Sequence, residues 1–227
     1  MLFSALSASS AHSGFDFDLF FSASPRLCGE LSFRGFSMIA IFDYGAGNLR
    51  SVQNGLDAIG CAYSLVRDAD GLRHATKILL PGVGHFGQMM RALDNLGVRE
   101  TLLDRIRAGV PFFGICLGMQ ALFQSSEEAP EVRGLGLFPG TVRRFAEGIR
   151  VPHMGWDQCE STAGPSPYYY FAHSYYVPEV ADIANEVCTY GVRFIASLQS
   201  GTVRGTQYHP EKSATAGQQV LKSFVAC

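Results

Sequence analysis

Apolar residues recur along this chain in short runs that alternate with glycine-rich turns and with stretches of helical spacing. The run over residues 38–42 ends in the turn "DYGAGN", and Leu49, Val52 and Leu56 then follow at steps of three and four. Continuous apolar runs are typical of buried strands, and this spacing is typical of a helix with one buried face. The pattern therefore predicts a strand followed by a helix.

The same alternation continues to the middle of the chain. It predicts strands in "AYSLV", "TKILLPG" and "VPFFGI", and helices in "FGQMMRALDNL" and "RETLLDRIRAG". Alternating helices and near-continuous apolar strands predict a parallel sheet covered by helices on both faces. We expect a further helix over "MQALFQ", directly after the strand that ends near Cys116.

Beyond about residue 130 the pattern changes to strands rich in aromatic and β-branched residues. These strands are predicted in "LGLFPGTVRRF", "YYYFAHSYYV", "NEVCTYGVRFIASLQSG" and "VRGTQYHP", and "AGQQVLKSFV" predicts a closing helix. We expect antiparallel strands added to the same core rather than a second domain. The predicted fold class is α/β, with an open, mostly parallel sheet flanked by helices and extended by antiparallel strands.

Residues 1–37 differ from the rest of the chain. They are rich in Ser and Phe, lack periodicity, and end just before Met38. Asp16, Asp18 and Glu30 argue against a transit peptide, which would be poor in acidic residues. We expect residues 1–37 to be a poorly ordered N-terminal extension or a misassigned start, and residues 38–227 to form one domain.

Composition narrows the classes of function. A formal net charge of −2 and 17% charged residues, with no Lys/Arg block, predict no nucleic-acid partner. No apolar stretch has the ~18 to 20 residues of a membrane helix, so we expect no membrane association. The six cysteines form no C-x-x-C pair, which predicts free thiols and a cytoplasmic location. Neither metal-ligand spacing nor a nucleotide-binding glycine motif occurs, so we expect no metal and no cofactor.

The segment "GICLG" carries the candidate nucleophile, Cys116. Glycines two residues before and after a cysteine, at a strand-to-helix junction, have the form of a nucleophile elbow. The helix N-terminus favours the reactive thiolate, and the amide after the cysteine can face a developing oxyanion. The alternative is a small buried hydrophobe, which is the usual role of a free cysteine.

His209, in "QYHPEK", is the candidate base. Glu211 lies two residues further along extended chain, so its carboxylate can hold the imidazole in one tautomer. An exposed turn is the alternative interpretation of "HPE". The turn "LPGVGHFG" can aim backbone N–H groups at an anion, or be a plain turn. Together the three segments predict acyl transfer from an amide or ester to a thiol.

At this point the segments resemble a known family. "PGVG", "GICLGMQ" and "QYHPEKS" resemble the class I glutamine amidotransferases, which have a flavodoxin-like fold. "DYGAGNLRSV", "PHMGWDQ" and "YYFAHSYY" resemble, within that family, the glutaminase subunits of imidazole glycerol phosphate synthase. The resemblance runs from Met38 almost to residue 227. Asp157, where the family usually has Asn, and Tyr208, where it usually has Phe, depart from the pattern.

The resemblance implies roles for individual residues. Cys116 would attack the side-chain amide of glutamine, His209 would act as general acid and base, and Glu211 would orient His209. The residues implied in the oxyanion hole are Leu117 with Val83 or Gly84. The residues implied in substrate binding are Gln120, Ser174 and Tyr175.

The resemblance also implies a partner subunit. The family passes ammonia through a tunnel to a (β/α)8-barrel cyclase subunit, with which this chain would form a heterodimer. Asn48, Trp156 and Lys212 would lie at the interface, with Trp156 on a loop. From the residues alone, Asn48 is equally a helix N-cap, Trp156 a core residue and Lys212 a solvated charge.

Other interpretations stay open on the sequence. A glutaminase that serves another synthase of the superfamily would carry the same triad, and a non-catalytic interaction subunit would keep the fold without the chemistry. A papain-like peptidase is disfavoured, because it would have its cysteine near the mature N-terminus and an Asn after the histidine.

Overall fold

The computed structural model describes residues 39–45, 48–161, 164–179 and 182–227. The expectation for residues 1–37 lies outside these ranges, so the domain boundary stays a prediction. The strands are β1 (Ile39–Phe42), β2 (Tyr63–Val66), β3 (Lys77–Gly82), β4 (Phe112–Cys116), β5 (Phe123–Ser126), β6 (Phe138–Arg144), β7 (His153–Ser161), β8 (Gly164–His173), β9 (Tyr175–Tyr176), β10 (Ala184–Tyr190), β11 (Val192–Ser200) and β12 (Val203–Thr206). The helices are α1 (Leu49–Asp57), α2 (Ala69–His74), α3 (Phe86–Asn95), α4 (Arg99–Arg107), α5 (Leu117–Gln120) and α6 (Ala214–Ala226), and a 3₁₀ turn spans Pro210–Lys212.

Within the described ranges, nine strands form the main sheet in the order β2-β1-β3-β4-β12-β11-β10-β7-β8. The strands from β2 to β12 in this order run parallel. The pairs from β12 to β8 are antiparallel. Strands β5, β6 and β9 form a small second sheet. The predicted fold class, a mostly parallel sheet with helices and added antiparallel strands, is confirmed.

The parallel half of the sheet is buried on both faces. Side chains of successive strand residues point to opposite faces. Ile41 and Leu79 pack on one face with residues of α1 and α6, and Phe42 and Leu80 pack on the other with residues of α2, α3 and α4. This double burial explains why these strands are apolar without alternation. No helix in the described part of the chain is both long and apolar enough to cross a membrane.

Four predicted elements differ from the structure. "YYYFAHSYYV" is divided between β8, which ends at His173, and β9 (Tyr175–Tyr176), which belongs to the second sheet. The helix expected over "MQALFQ" ends at Gln120, because the Ala121 and Leu122 carbonyls accept from the 135 and 137–138 amides. The "PHMGW" segment is the start of β7, paired with β8 from His153 opposite His173, and is no loop. "NEVCTYGVRFIASLQSG" forms two strands, which turn at Gly191 with φ of +70°.

Candidate active site

Cys116 lies where β4 ends and α5 begins. Its φ is +53° and its ψ is −107°, in a region that residues with side chains rarely adopt. Strained backbone of this kind is expected at a nucleophile elbow, where a sharp turn presents the side chain to a cleft. The elbow predicted from "GICLG" is therefore present in the backbone.

The glycines around the elbow let three backbone segments approach closely. A Cβ on Gly118 would lie 2.0 Å from the carbonyl oxygen of Leu80, and a Cβ on Gly114 would lie 2.5 Å from that of Gly118. Gly82 is paired with Cys116 across β3 and β4, and its Cβ would lie 2.6 Å from the Gly118 amide nitrogen. A side chain at any of these positions would push β3, β4 and α5 apart and displace Cys116.

His209 follows β12, the strand next to β4, and hydrogen bonds hold both its side chain and its backbone. Its Nδ1 lies 2.8 Å from Oε1 of Glu211, and Cys116 is close enough to favour the protonated form of the imidazole. The backbone N–H of His209 donates to the Tyr170 carbonyl at 2.9 Å, and the Ser213 hydroxyl donates to the His209 carbonyl at 2.6 Å. The structure therefore brings the three predicted triad residues together.

The imidazole of His209 lies between two acidic groups. Burial opposes its protonation, but the charge and hydrogen bond of Cys116, with those of Glu211, outweigh burial and raise the pKa of His209 to about 10. The side chains of His209 and Glu211 are only 3% and 2% exposed, so water screens this cluster little. A protonated imidazole beside Cys116 can supply a proton to a leaving group at neutral pH.

A cavity of about 250 Å³ opens beside Cys116. Residues from the ends of β3 and β4, from α5, and from the β8–β9 segment form its walls. All six residues predicted for the oxyanion hole and for substrate binding line it. They are Val83, Gly84, Leu117, Gln120, Ser174 and Tyr175.

Two glutamines connect the cavity wall to the thiol. Gln120 is buried, and its Nε2 donates to the Tyr175 carbonyl at 2.8 Å and to Oε1 of Gln207 at 3.0 Å. Gln207 in turn donates its Nε2 to the sulfur of Cys116 at 3.4 Å. Sequence reasoning missed Gln207. Its place two residues before His209, on the same side of extended chain, was the available signal.

Glu128 and His173 also line the cavity and were also missed. Oε2 of Glu128 accepts from the Phe86 N–H at 2.6 Å, where α3 begins. Nδ1 of His173 lies 2.9 Å from the Tyr175 carbonyl. Burial lowers the pKa of His173 to about 3. The nearby His153 acts in the same direction, and the hydrogen bond to Tyr175 opposes both effects. No short-range spacing in the sequence links either residue to Cys116.

Of the three residues predicted at a subunit interface, two contact the same aromatic ring and the third caps a helix. Trp156 is 52% exposed, so the core alternative is wrong. Its ring meets the Tyr170 ring edge-on at 6.2 Å, and Nζ of Lys212 lies 5.6 Å from the centre of the same ring. Asn48 caps α1, and its Oδ1 accepts from the Ser51 N–H at 3.3 Å. Trp156 and Lys212 therefore both contact the ring of Tyr170, and the side chain of Asn48 caps helix α1.

The chain is similar over most of its length to proteins of one known family. The sequence model of the class-I glutamine amidotransferase family matches residues 40–227. Imidazole glycerol phosphate synthase subunit HisH of Methanothermobacter thermautotrophicus is 46% identical over 195 residues, which cover 83% of this chain and 98% of that protein. The same subunit of Deinococcus radiodurans is 43% identical over 197 residues, which cover 82% of this chain and 92% of that protein.

A crystal structure of a glutamine amidotransferase superimposes with a TM-score of 0.69, over 83% of this chain and 97% of that chain. Its sequence is 20% identical, so this likeness concerns the fold alone. The sequence identities of 46% and 43%, by contrast, also show the family. The chain belongs to the class-I glutamine amidotransferase family and, within it, to the family of HisH subunits of imidazole glycerol phosphate synthase.

Proposed function

We propose that this chain is the glutaminase subunit of an imidazole glycerol phosphate synthase. It hydrolyses glutamine to glutamate and ammonia, and it passes the ammonia to HisF, a (β/α)8-barrel cyclase subunit, in histidine biosynthesis. The observation that carries the proposal is the grouping of Cys116, His209 and Glu211 beside a cavity of about 250 Å³, with His209 hydrogen-bonded to Glu211 and interacting electrostatically with Cys116. That volume lies below the range of drug-sized pockets and suits a single amino acid.

The reaction begins with attack by the Cys116 thiolate on the side-chain amide carbon of glutamine. A C–S bond forms, and the carbonyl electron pair moves to oxygen. The N–H of Leu117, at the start of α5, and an N–H from Val83 or Gly84 stabilise this oxyanion. Both groups line the cavity on the side of Cys116.

Collapse of the tetrahedral intermediate releases ammonia. His209 gives its proton to the amide nitrogen as the C–N bond breaks, and a thioester remains on Cys116. The now neutral His209 removes a proton from water, which attacks the thioester and releases glutamate and the free thiol. Glu211 keeps Nδ1 of His209 bonded at 2.8 Å, so the other ring nitrogen is directed to Cys116 in both steps.

The cavity wall also supplies groups for the amino-acid end of glutamine. The Glu128 carboxylate provides a negative charge for the substrate's ammonium group, and the segment with Ser174 and Tyr175 provides backbone groups for its carboxylate. Gln120 supports this segment through its bond to the Tyr175 carbonyl.

The exposed cluster of Trp156, Tyr170 and Lys212 is the proposed contact for the cyclase subunit. An exposed tryptophan is the side chain most often found at the energetic centre of an interface. Lys212 directly follows Glu211, so a partner that binds the lysine also contacts the chain segment that orients His209. We assign Asn48 to the same interface, at the N-terminus of α1.

The proposal extends to the bounds of the domain and to its cellular compartment. The glutaminase domain comprises residues 38–227 in this proposal. The free thiols of the described cysteines support a reducing, cytoplasmic environment. These are Cys61, Cys116, Cys159, Cys188 and Cys227.

The proposal is tested by measuring glutamate formation from glutamine by the purified chain, with and without the cyclase subunit and the cyclase ligand. Cys116→Ala serves as the blank, and its rate should fall by at least about 10⁴-fold because the nucleophile is lost. Activity that depends on the cyclase subunit supports the proposal. Activity indifferent to it would assign the triad to another synthase, and activity retained in Cys116→Ala would refute the proposed chemistry.

A further inference from the structure

Tyr44 connects the end of β1 to the segment that carries the oxyanion groups. The residue follows β1 after Asp43, and it is 7% exposed. Its hydroxyl donates to the backbone carbonyl of Val83 at 3.3 Å, across 39 positions of the chain. Val83 directly follows β3 and lines the cavity beside Cys116.

The backbone before Tyr44 is anchored independently of the oxyanion segment. The carboxylate of Asp43 accepts from the Gly45 N–H at 2.9 Å and from Nε of Arg67 at 2.7 Å. The N–H of Asp43 donates to the Val66 carbonyl at 2.8 Å, which ties this position to the end of β2. The phenol of Tyr44 therefore extends from a fixed base.

The segment that Tyr44 contacts has backbone freedom of its own. Gly84 has a φ of +102°, and a Cβ built there would meet no atom within 4 Å. The carbonyl of Val83 and the N–H of Gly84 belong to one trans peptide and point in opposite directions. A hydrogen bond that fixes the Val83 carbonyl therefore also fixes the direction of the Gly84 N–H.

We propose that Tyr44 is a positioning residue for the oxyanion hole, because its hydroxyl holds the Val83–Gly84 peptide in one orientation beside Cys116. The inference rests on the proposed function, since it assigns that peptide to the stabilisation of the glutamine oxyanion. In this role Tyr44 is not itself a reacting group. It acts through the peptide that it holds.

The ionisation of Tyr44 is compatible with a permanent donor. Burial raises the pKa of Tyr44 to about 12. Cys116 and Asp43 act in the same direction, and the hydrogen bond to Val83 opposes them. The phenol therefore keeps its proton at every pH at which the thiolate chemistry runs.

The test is Tyr44→Phe, which keeps the ring and removes the hydroxyl. In the complex with the cyclase subunit and its ligand, we expect kcat for glutamine hydrolysis to fall about 3- to 10-fold, the effect of one neutral hydrogen bond. KM for glutamine should stay within about twofold, because the oxyanion forms only in the transition state. Alkylation of Cys116 by iodoacetamide forms no oxyanion, so its rate should not change.

Tyr190→Phe is the matched control. Its hydroxyl donates to the Arg150 carbonyl at 3.0 Å, so the same chemical group is removed from the same kind of hydrogen bond elsewhere. Wild-type kcat in Tyr44→Phe would overturn the inference and leave the proposed function intact. A parallel fall in the iodoacetamide rate would also overturn it, because the effect would then lie on the thiol. Absence of glutamine hydrolysis in the wild-type complex would instead refute the proposed function.

Discussion

Two histidines near the cavity come from the two halves of the sheet, and their protonation differs. His209 follows β12 in the parallel half, and its pKa is raised to about 10. His173 ends β8 in the antiparallel half, and its pKa is lowered to about 3. Burial lowers the pKa of both residues, so the difference lies in their partners. His209 faces Cys116 and Glu211, whereas His173 faces a carbonyl and a second imidazole.

The two halves of the sheet also differ in the groups that they contribute to the site. The parallel half holds charged, reactive groups in tight glycine turns at the carboxyl ends of its strands, as in other open parallel sheets. The antiparallel half buries neutral aromatic rings, among them Phe171 and Phe194, and supplies part of the cavity wall. One half thus carries the reacting groups, and the other shapes the space in which the substrate lies.

The largest expected effect concerns the close backbone packing of the parallel half. Gly118→Ala would place a Cβ 2.0 Å from the Leu80 carbonyl oxygen, so β3 and α5 must separate. We expect kcat to fall about 100-fold, the effect of displacing a catalytic group by about 1 Å, with a loss of about 1–3 kcal/mol in unfolding free energy. Steady-state kinetics and urea unfolding measure the two effects.

Gly109→Ala provides the control for that experiment. Gly109 has a φ of +84° but open space around it, so an alanine there costs backbone strain of about 1–2 kcal/mol and moves no catalytic group. We expect its kcat to be that of the wild type. Equal loss of activity in both variants would show that general destabilisation, and not displacement of Cys116, limits the rate.

The antiparallel half is probed at its exposed surface. Trp156→Ala should weaken binding of the cyclase subunit about 30-fold, the effect of losing an interface residue worth about 2 kcal/mol. Titration of the chain with the cyclase subunit measures the Kd. Leu65→Ala is the control, because Leu65 is 45% exposed on β2, at the opposite edge of the sheet. Equal Kd values for the two variants would place the interface elsewhere.

The two histidines predict opposite pH dependences of stability. The raised pKa of His209 stabilises the fold fully below about pH 6.5, and this contribution is lost as pH rises to about 10. The lowered pKa of His173 makes the fold lose stability as pH falls from about 6.5 towards 3. Unfolding free energies of wild type, His209→Gln and His173→Gln measure both trends across this range.

Each substitution should remove one side of that dependence. His209→Gln should flatten the loss above pH 6.5 and leave the acid side, whereas His173→Gln should do the reverse. In addition, Cys116→Ala removes the main group that raises the His209 pKa, so the NMR titration midpoint of His209 should fall. An unchanged midpoint in that variant would contradict the proposed thiolate–imidazolium pair.

The smallest expected effect concerns a buried polar cluster behind His209. The Tyr208 hydroxyl donates to Oε2 of Glu186 at 2.9 Å, and its ring stacks on Tyr169 at 3.8 Å. Tyr208→Phe, which keeps the ring and removes the hydroxyl, should cost about 1 kcal/mol of unfolding free energy through one lost hydrogen bond. Chemical denaturation measures this cost, and a neutral or stabilising result would show that the remaining donors, among them Ser197 and Tyr169, satisfy the carboxylate.

Local sequence determined the elements and groups whose geometry is set by neighbouring residues. The apolar runs, the glycines around Cys116 and the two-residue spacing of His209 and Glu211 each restrict backbone angles or side-chain direction over a few positions. These features predicted the parallel half, the elbow and the pairing of His209 with Glu211. Resemblance to the family added the residues that line the cavity.

Tertiary structure alone decided the contacts between distant segments. Insertion of β12 beside β4 brings Gln207 and His209 to Cys116, and pairing of β7 with β8 leaves Trp156 exposed beside Tyr170. The contacts of Glu128 and Tyr44 likewise depend on which strands are neighbours and in which register. Strand order and register result from packing of the whole core, and periodicity in the sequence encodes only which faces are buried.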